Sequence, residues 1–363
     1  MPSSQQCVGV VFGGLSGEHL ISIKSATTVI NALRSSVNRQ KFLTIPFYID
    51  REGRWHSPEV GEKVLKSQTF PSENDLKSFN KIYGFQGFPK DSEIIDIWFP
   101  MLHGPNGEDG SIQGLFQMNR KPFVGSGVLG SALGMDKLAM KAAFTAAGLD
   151  QVPYKSLIRD EIKDADNLQK IIKEIERELI YPIFIKPANL GSSVGITKAS
   201  NQQELILGLN EASKYDKRIV AEEGVDAMEL ECAVLEENNE LKASEVGQVE
   251  FESEWFNYQT KYTQGNSRSL IPAPIPNTIK EKVQKLSIEA CQAISINGMS
   301  RVDFFYQKSK NKLWINEINT LPGFTSESMF PLLWEASGIP LEKLVEKLLE
   351  ATSNEPNGIY SHQ

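Results

Sequence analysis

Short apolar runs rich in Val, Ile and Phe recur along the chain, bounded by Gly, Pro or polar turns and separated by stretches of helical spacing. Runs of this length suit buried strands, and their alternation with helical patterns selects an α/β fold class. "CVGVVF" reads as a strand, "GGLSG" as a turn, and His19 to Arg34 as a helix. "KFLTIPFYID" and "EIIDIWFPML" read as further buried strands, the second running into the loop "HGPNGEDG". Residues 57–92 are polar and carry no functional signal. This first unit reads as an open α/β layer ending near Gly134.

A second unit begins with the helix "MDKLAMKAAFTAAG", stopped at Gly148. It continues through a helix near residues 166–179, the strand "YPIFIKP", a Gly/Ser loop, a helix from about Asn201 and the strand "RIVAEE". A third holds "ELECAVLE", a polar loop around "NYQTKYTQGNSRS", a long helix from near Thr278, two strands, and closing helices from about Ser328 and Leu341. The expected boundaries are 1–134, 135–224 and 225–363.

With 363 residues, 40% hydrophobic and 23% charged, the chain has material for more than one packed core. A net charge of −8 gives no overall attraction to nucleic acid or to anionic lipid, and neither is expected as a partner. Cys7, Cys232 and Cys291 are far apart in sequence, and no Cys-x-x-Cys pair suggests a zinc site. The start "MPSSQQCVGVVF" lacks a basic segment, and no apolar run is long enough to span a bilayer, so a cytoplasmic location is expected.

"SRVDFFYQ" and "KLWINEIN" flank "KSKNK" and read as a hairpin. With the turn centred on Lys310, Asp303 lies opposite Glu317 and Arg301 opposite Asn319, all four on one face. Val302, Phe304, Trp314 and Ile318 would then face the core. Two facing carboxylates repel unless a positive group sits between them. Asp, Glu and Asn oxygens suit magnesium, which leaves coordination positions for phosphates. Arg301 neutralising the pair is an equal alternative at this point.

No G-x-x-x-x-G-K-[ST] is present, and the early "FGGLSG" fails G-x-G-x-x-G because Phe12 stands where its first glycine would be. In "IKPANLGSSVGI", Lys186 ends an apolar strand and leads into a loop of small residues, Gly191, Ser192, Ser193 and Gly195. Such a loop lets backbone amides approach an anion and lets the segment act as a lid.

At these residues the chain resembles the D-alanine–D-alanine ligase family of the ATP-grasp superfamily. The resemblance rests on "GGLSGEHLIS", "LHGPNGEDGSIQG", "GSGVLGSALGMDK", "IKPANLGSSVGI", "VAEEGVDAMELECAVL", "NYQTKY", "RVDFFY" and "NEINTLPGFTSESM", in that order. It covers about residues 8–350 and is poor over residues 50–95. It implies a three-domain ATP-grasp architecture, with ATP clamped between the second and third units and D-alanine as substrate. Lys137 and Lys186 match phosphate-binding lysines; Glu222, Glu223 and Val225 match adenine-side contacts, and Glu229 a ribose contact. Asp303, Glu317 and Asn319 match ligands of two magnesium or manganese ions.

The implied reaction joins two D-alanines through an acyl phosphate to give a dipeptide for peptidoglycan precursor synthesis. Arg301 and the Gly323 N–H match groups that stabilise developing oxygen charge. Glu18, Ser192 and Tyr262 match a hydrogen-bonded set around the first substrate, with His103 a further contact. Lys261, Ser328 and Met329 match phosphate or second-substrate contacts. A homodimer is expected. Leu20 and Met228 depart from the pattern, where a glutamate and an arginine are common. The rival readings are a D-alanine–D-serine or D-alanine–D-lactate ligase, and a non-enzymatic nucleotide-binding regulator. Tyr262, where depsipeptide ligases often carry histidine, favours the ordinary dipeptide.

Overall fold

The computed structural model describes residues 5–71, 83–191, 194–251 and 267–354. The chain opens with β1 (Gln6–Gly13), α1 (His19–Leu33), β2 (Phe42–Ile49), α2 (Pro58–Ser67) and β3 (Ile97–Met101). The strands form a parallel sheet in the order β2-β1-β3. Residues 8–13 of β1 are all buried, as expected of a strand covered on both faces. The α2 helix lies in the stretch that sequence left unread. Its apolar residues are few, but Val60 and Val64 fall one turn apart and both bury.

Next come α3 (Ser111–Met118), α4 (Val128–Met135) and α5 (Lys137–Ala146). The helix expected over "MDKLAMKAAFTAAG" is α5, and α4, not expected from sequence, ends just before it at Met135. The Asp136 carboxylate accepts from the Ala139 N–H at 2.8 Å and so caps α5. Continuing along the chain are β4 (Tyr154–Ile158), α6 (Arg159–Ile162), α7 (Ala165–Glu178), β5 (Ile183–Pro187), β6 (Thr197–Ala199), α8 (Gln202–Tyr215) and β7 (Arg218–Glu223). Their strands form an antiparallel sheet, β4-β7-β5-β6. Ile172, Ile175, Leu205 and Leu209 of α7 and α8 pack on one face of it.

The last stretch contains β8 (Met228–Glu237), β9 (Glu240–Phe251), β10 (Ser267–Leu270), α9 (Asn277–Ala293), β11 (Met299–Gln307), β12 (Lys312–Asn319), α10 (Met329–Ala336) and α11 (Leu341–Asn354). The strands form the antiparallel sheet β10-β9-β8-β11-β12. Strand β9 was not expected, because "ELKASEVGQVEF" mixes charge and small residues; pairing with β8 and β10 supplies what its pattern lacks. Two neighbours cross between layers. Met140 and Phe144 of α5 pack with Leu230, Val302, Phe304 and Ile318 on this sheet, while Leu344, Val345 and Leu348 of α11 share the core of α1 and β1.

The β11–β12 register matches the expected one, with Arg301 opposite Asn319 and Asp303 opposite Glu317. Beyond that pair the register shifts, and Phe304 lies opposite Ile315, leaving Asn316 as an extra residue. The shift corrects one expectation. Ile315 and Leu313 join Val302, Phe304 and Ile318 in that cluster, whereas Trp314 is buried on the opposite face, beneath the Lys312 ammonium. Among the described residues no helix is long and apolar enough to cross a membrane.

Since Phe144 is fully buried between α5 and this sheet, Phe144→Ala is expected to destabilise the protein by about 3–5 kcal/mol. Chemical denaturation of both proteins measures this, and a loss below about 1 kcal/mol would mean that α5 is not anchored there.

Candidate active site

The C-terminal sheet has one face that changes character along its length. Ala233, Leu235 and Met299 are buried in the core shared with α1 and β1. Further along the same face, Glu231, Asp303 and Glu317 stand in a row across β8, β11 and β12. Three carboxylates on neighbouring strands need a cation. Arg301 supplies it: Nε and Nη2 donate to the two Asp303 oxygens, each at 2.7 Å, and Nε lies 2.9 Å from Glu231 Oε2. Asn319 Nδ2 also donates to Asp303, at 3.1 Å. The Lys137 ammonium, at the start of α5, lies 3.7 Å from Glu317 Oε2 and donates to the Leu190 carbonyl at 2.7 Å.

Opposite this face is the open face of the central sheet. Tyr154, Glu222 and Phe184 stand side by side across β4, β7 and β5. Glu222 is buried and ion-paired to Lys186 from β5 and, at 3.2 Å, to Lys141 from α5. Although burial opposes its charge, these two ammonium groups hold the carboxyl down at about 2. The Glu223 carboxylate accepts from the Ile180 N–H at 3.2 Å.

The N-terminal layer closes the remaining side. Glu18 immediately precedes α1, and its carboxylate lies 3.9 Å from where a side chain on Gly191 would begin, so the chain at Gly191 comes up to it. His103 joins the layers. Its Nδ1 can only donate to the Leu321 carbonyl, at 3.1 Å, which leaves Nε2 to accept from Ser25 Oγ at 2.9 Å. Ser25 Oγ in turn accepts from the Phe324 N–H at 3.1 Å. Burial pushes the imidazole below its ordinary value, consistent with this neutral tautomer. His103 therefore holds the 321–324 turn in place, and both its nitrogens are used within the chain. At Gly323 a Cβ would lie 2.9 Å from Ser328 Oγ, which itself accepts from the Thr325 N–H at 3.0 Å.

All the candidate residues among the described ones line a single cleft of about 2160 Å³. Glu18, His103, Lys137, Lys186, Glu222, Glu223, Val225, Glu229, Arg301, Asp303, Glu317, Asn319, Gly323, Ser328 and Met329 all face it. Ser192, Tyr262 and Lys261 lie outside the described residues. Of the two departures, Met228 lines the cleft and Leu20 is exposed beside it. Sequence reading missed Glu231, Lys141 and Glu108. Glu231 and Lys141 had a signal, each lying one strand or helix repeat from a chosen residue, Glu229 and Lys137. Glu108 sits in "HGPNGEDG", accepts from the Gly104 N–H at 2.7 Å, and is pushed up to about 8 by burial and then by the Glu18 charge.

Comparison with known proteins gives the same answer over the length of the chain. Residues 7–126 match the model for the D-ala D-ala ligase N-terminus, and residues 143–350 match that for the C-terminus. The chain belongs to the D-alanine–D-alanine ligase family. It is 55% identical over 350 residues to the D-alanine–D-alanine ligase of Synechococcus sp. (strain CC9605), covering 96% of this chain and 99% of that one. The ligase of Parasynechococcus marenigrum (strain WH8102) is 55% identical over 351 residues, covering 97% and 99%. Among solved structures, the VanG D-Ala:D-Ser ligase from Enterococcus faecalis superposes with a TM-score of 0.78 at 33% identity, covering 96% and 99%. The D-alanine–D-alanine ligase from Coxiella burnetii gives 0.77 at 30%, covering 97% and 95%. These likenesses confirm the three-layer ATP-grasp fold of the ligase family for this chain.

Glu108 provides a pH test of the cleft. Its carboxyl titrates near 8 in the folded chain and near the ordinary 4.5 when unfolded, so the native state keeps a proton that the unfolded chain releases. That contribution to stability is complete below about 4.5 and is lost as pH rises towards 8. Glu108→Gln needs no such proton. Its stability relative to the unaltered protein is expected to rise between pH 5 and pH 8, as measured by denaturation midpoints; a difference independent of pH would contradict this.

Proposed function

We propose that the cleft joins two D-alanine molecules to D-alanyl-D-alanine at the expense of ATP, releasing ADP and phosphate, and that the product enters peptidoglycan precursor synthesis. The observation that carries the residue assignments is the convergence of three layers on one cleft. It brings Lys137 and Lys186, the Asp303–Glu317 pair and Arg301 into one space. Its volume of about 2160 Å³ exceeds the roughly 300–1,000 Å³ of an ordinary small-molecule pocket, leaving room for a nucleotide and two amino acids. We divide the chain at 1–134, 135–224 and 225–363, with one sheet in each part.

Lys137 and Lys186 are placed to hold the ATP phosphates, with Glu222, Glu223 and Val225 on the adenine side and Glu229 at the ribose. The carboxylate of the first D-alanine, its ammonium paired with Glu18, attacks the γ-phosphorus. ADP leaves and an acyl phosphate forms. The uncharged amine of the second D-alanine, held near Ser328 and Met329, then attacks the acyl carbon. Arg301 and the Gly323 N–H stabilise the oxygen charge of the tetrahedral intermediate, which collapses to the amide and inorganic phosphate. Ser192, Tyr262 and Lys261 are assigned to the loop and phosphate contacts on sequence alone.

Asp303, Glu317 and Asn319 would hold two magnesium or manganese ions. Their donors are hard oxygens, and both carboxylates are partly open to the cleft, with 14% and 27% of their side chains exposed. Among the described residues no group of three or more His, Cys, Asp or Glu is gathered as a metal site. Such ions would neutralise phosphate charge during transfer. Use of ATP supports a cytoplasmic location. Sedimentation at assay concentration would test the expected homodimer.

Phosphate release with D-alanine, L-alanine, D-serine and D-lactate, with products identified by mass, tests the reading. D-Alanyl-D-alanine is the expected product; a folded, ATP-binding protein that releases no phosphate with D-alanine would refute it. Glu317→Gln is expected to abolish turnover without unfolding the protein, and near-normal rates at modest magnesium would remove that residue from the metal set. Arg301→Lys keeps the charge that balances Asp303 and Glu231 but loses the planar fork. It should lower kcat by at least about tenfold, and an unchanged kcat would restrict Arg301 to charge balance.

A further inference from the structure

Lys141 is a buried cation with no part in the reaction just described. Its side chain is only 2% exposed, and it is not part of the cleft wall, unlike Lys137 four residues earlier on α5. The ammonium lies 3.2 Å from Glu222 Oε2 and 4.8 Å from the centre of the Tyr154 ring. Lys186 takes the other Glu222 oxygen, Oε1, from the cleft side, where 13% of its side chain is exposed. One buried carboxylate is thus shared by two lysines, one sealed inside and one facing the cleft. The groups facing Glu222 are Lys141 from α5, Lys186 from β5 and the Tyr154 ring from β4.

This arrangement solves a problem of charge. Lys186 cannot bind a phosphate at full strength while it is also the sole counterion of a buried carboxylate, because leaving would strand that charge in a low-dielectric wall. We propose that Lys141 is a positioning residue for ATP binding, keeping Glu222 compensated so that Lys186 is released to the phosphates. The inference deepens the ligase reading and rests on Lys186 meeting ATP.

The test is ATP binding to the purified chain with magnesium, by titration calorimetry at pH 6 and pH 8. Lys141→Met is compared with the unaltered protein at each pH. Affinity is expected to fall about tenfold or more at pH 8, the scale of one lost charge-assisted contact. The deficit should narrow at pH 6, where Glu222 can take a proton in place of the missing lysine; a purely structural staple predicts no such pH dependence. Affinity at pH 8 within about threefold of the unaltered protein would overturn the proposal, since a tenfold change corresponds to only one pKa unit. If Lys141→Met does not fold, Lys141→Met/Glu222→Gln is compared with Glu222→Gln. Equal affinities support action through Glu222, and a further tenfold loss in the double variant would overturn it. Failure of the unaltered protein to bind ATP would instead remove the ligase reading, and this inference with it.

Discussion

The cleft depends on one guanidinium. Glu231, Asp303 and Glu317 stand abreast on three hydrogen-bonded strands, a spacing at which like charges destabilise a sheet. Arg301, two residues from Asp303 on the same strand, spans the first two, and Lys137 approaches the third from a helix. The planar fork of Arg301 binds both Asp303 oxygens at once, which a point charge cannot do. Burial works against the guanidinium's charge, yet its neighbours raise its pKa well above the ordinary value, so it stays cationic at any relevant pH. Sequence left open whether this arginine balances charge or acts on substrate. Its observed contacts are those of a charge balancer, and its position in the cleft wall leaves the second role available.

Helix α5 distributes the remaining cations. Its apolar side, Met140 and Phe144, is anchored in the C-terminal sheet; Lys137 reaches Glu317 of that sheet, and Lys141, one turn on, reaches Glu222 of the central one. A single helix thereby sets the spacing between a cleft-lining lysine and the buried carboxylate of β7. The layers do not need a separate hinge element to keep those charges in register.

Much of this was legible in the chain, and what was missed has physical causes. The β11–β12 pairing could be read because the turn "KSKNK" fixes the register and period two fixes the face. The bulge at Asn316 could not, since an extra residue leaves no mark in an alternating pattern until it is paired, and so Trp314 was assigned to the wrong face. Strand β9 lacks a continuous apolar run because its two neighbours provide its environment. The Gly/Ser loop and the lysines were visible as residue types, but the link from His103 through Ser25 to Phe324 joins positions more than two hundred residues apart. Glu108 was hidden for the same reason: only folding brings it near Glu18 and out of water.

The place of α11 has a further implication for how the molecule is made. Leu344, Val345, Leu348 and Leu349 complete the apolar core around α1 and β1, and Lys41, just before β2, pairs with Glu346. The first layer to emerge during synthesis is therefore left with an uncovered apolar face until more than two hundred further residues have been made. Contacts of such sequence separation form late and carry a large loop-closure cost. The N-terminal layer then relies on α11 to cover that face, and a nascent chain stalled before α11 would leave those apolar side chains open to water.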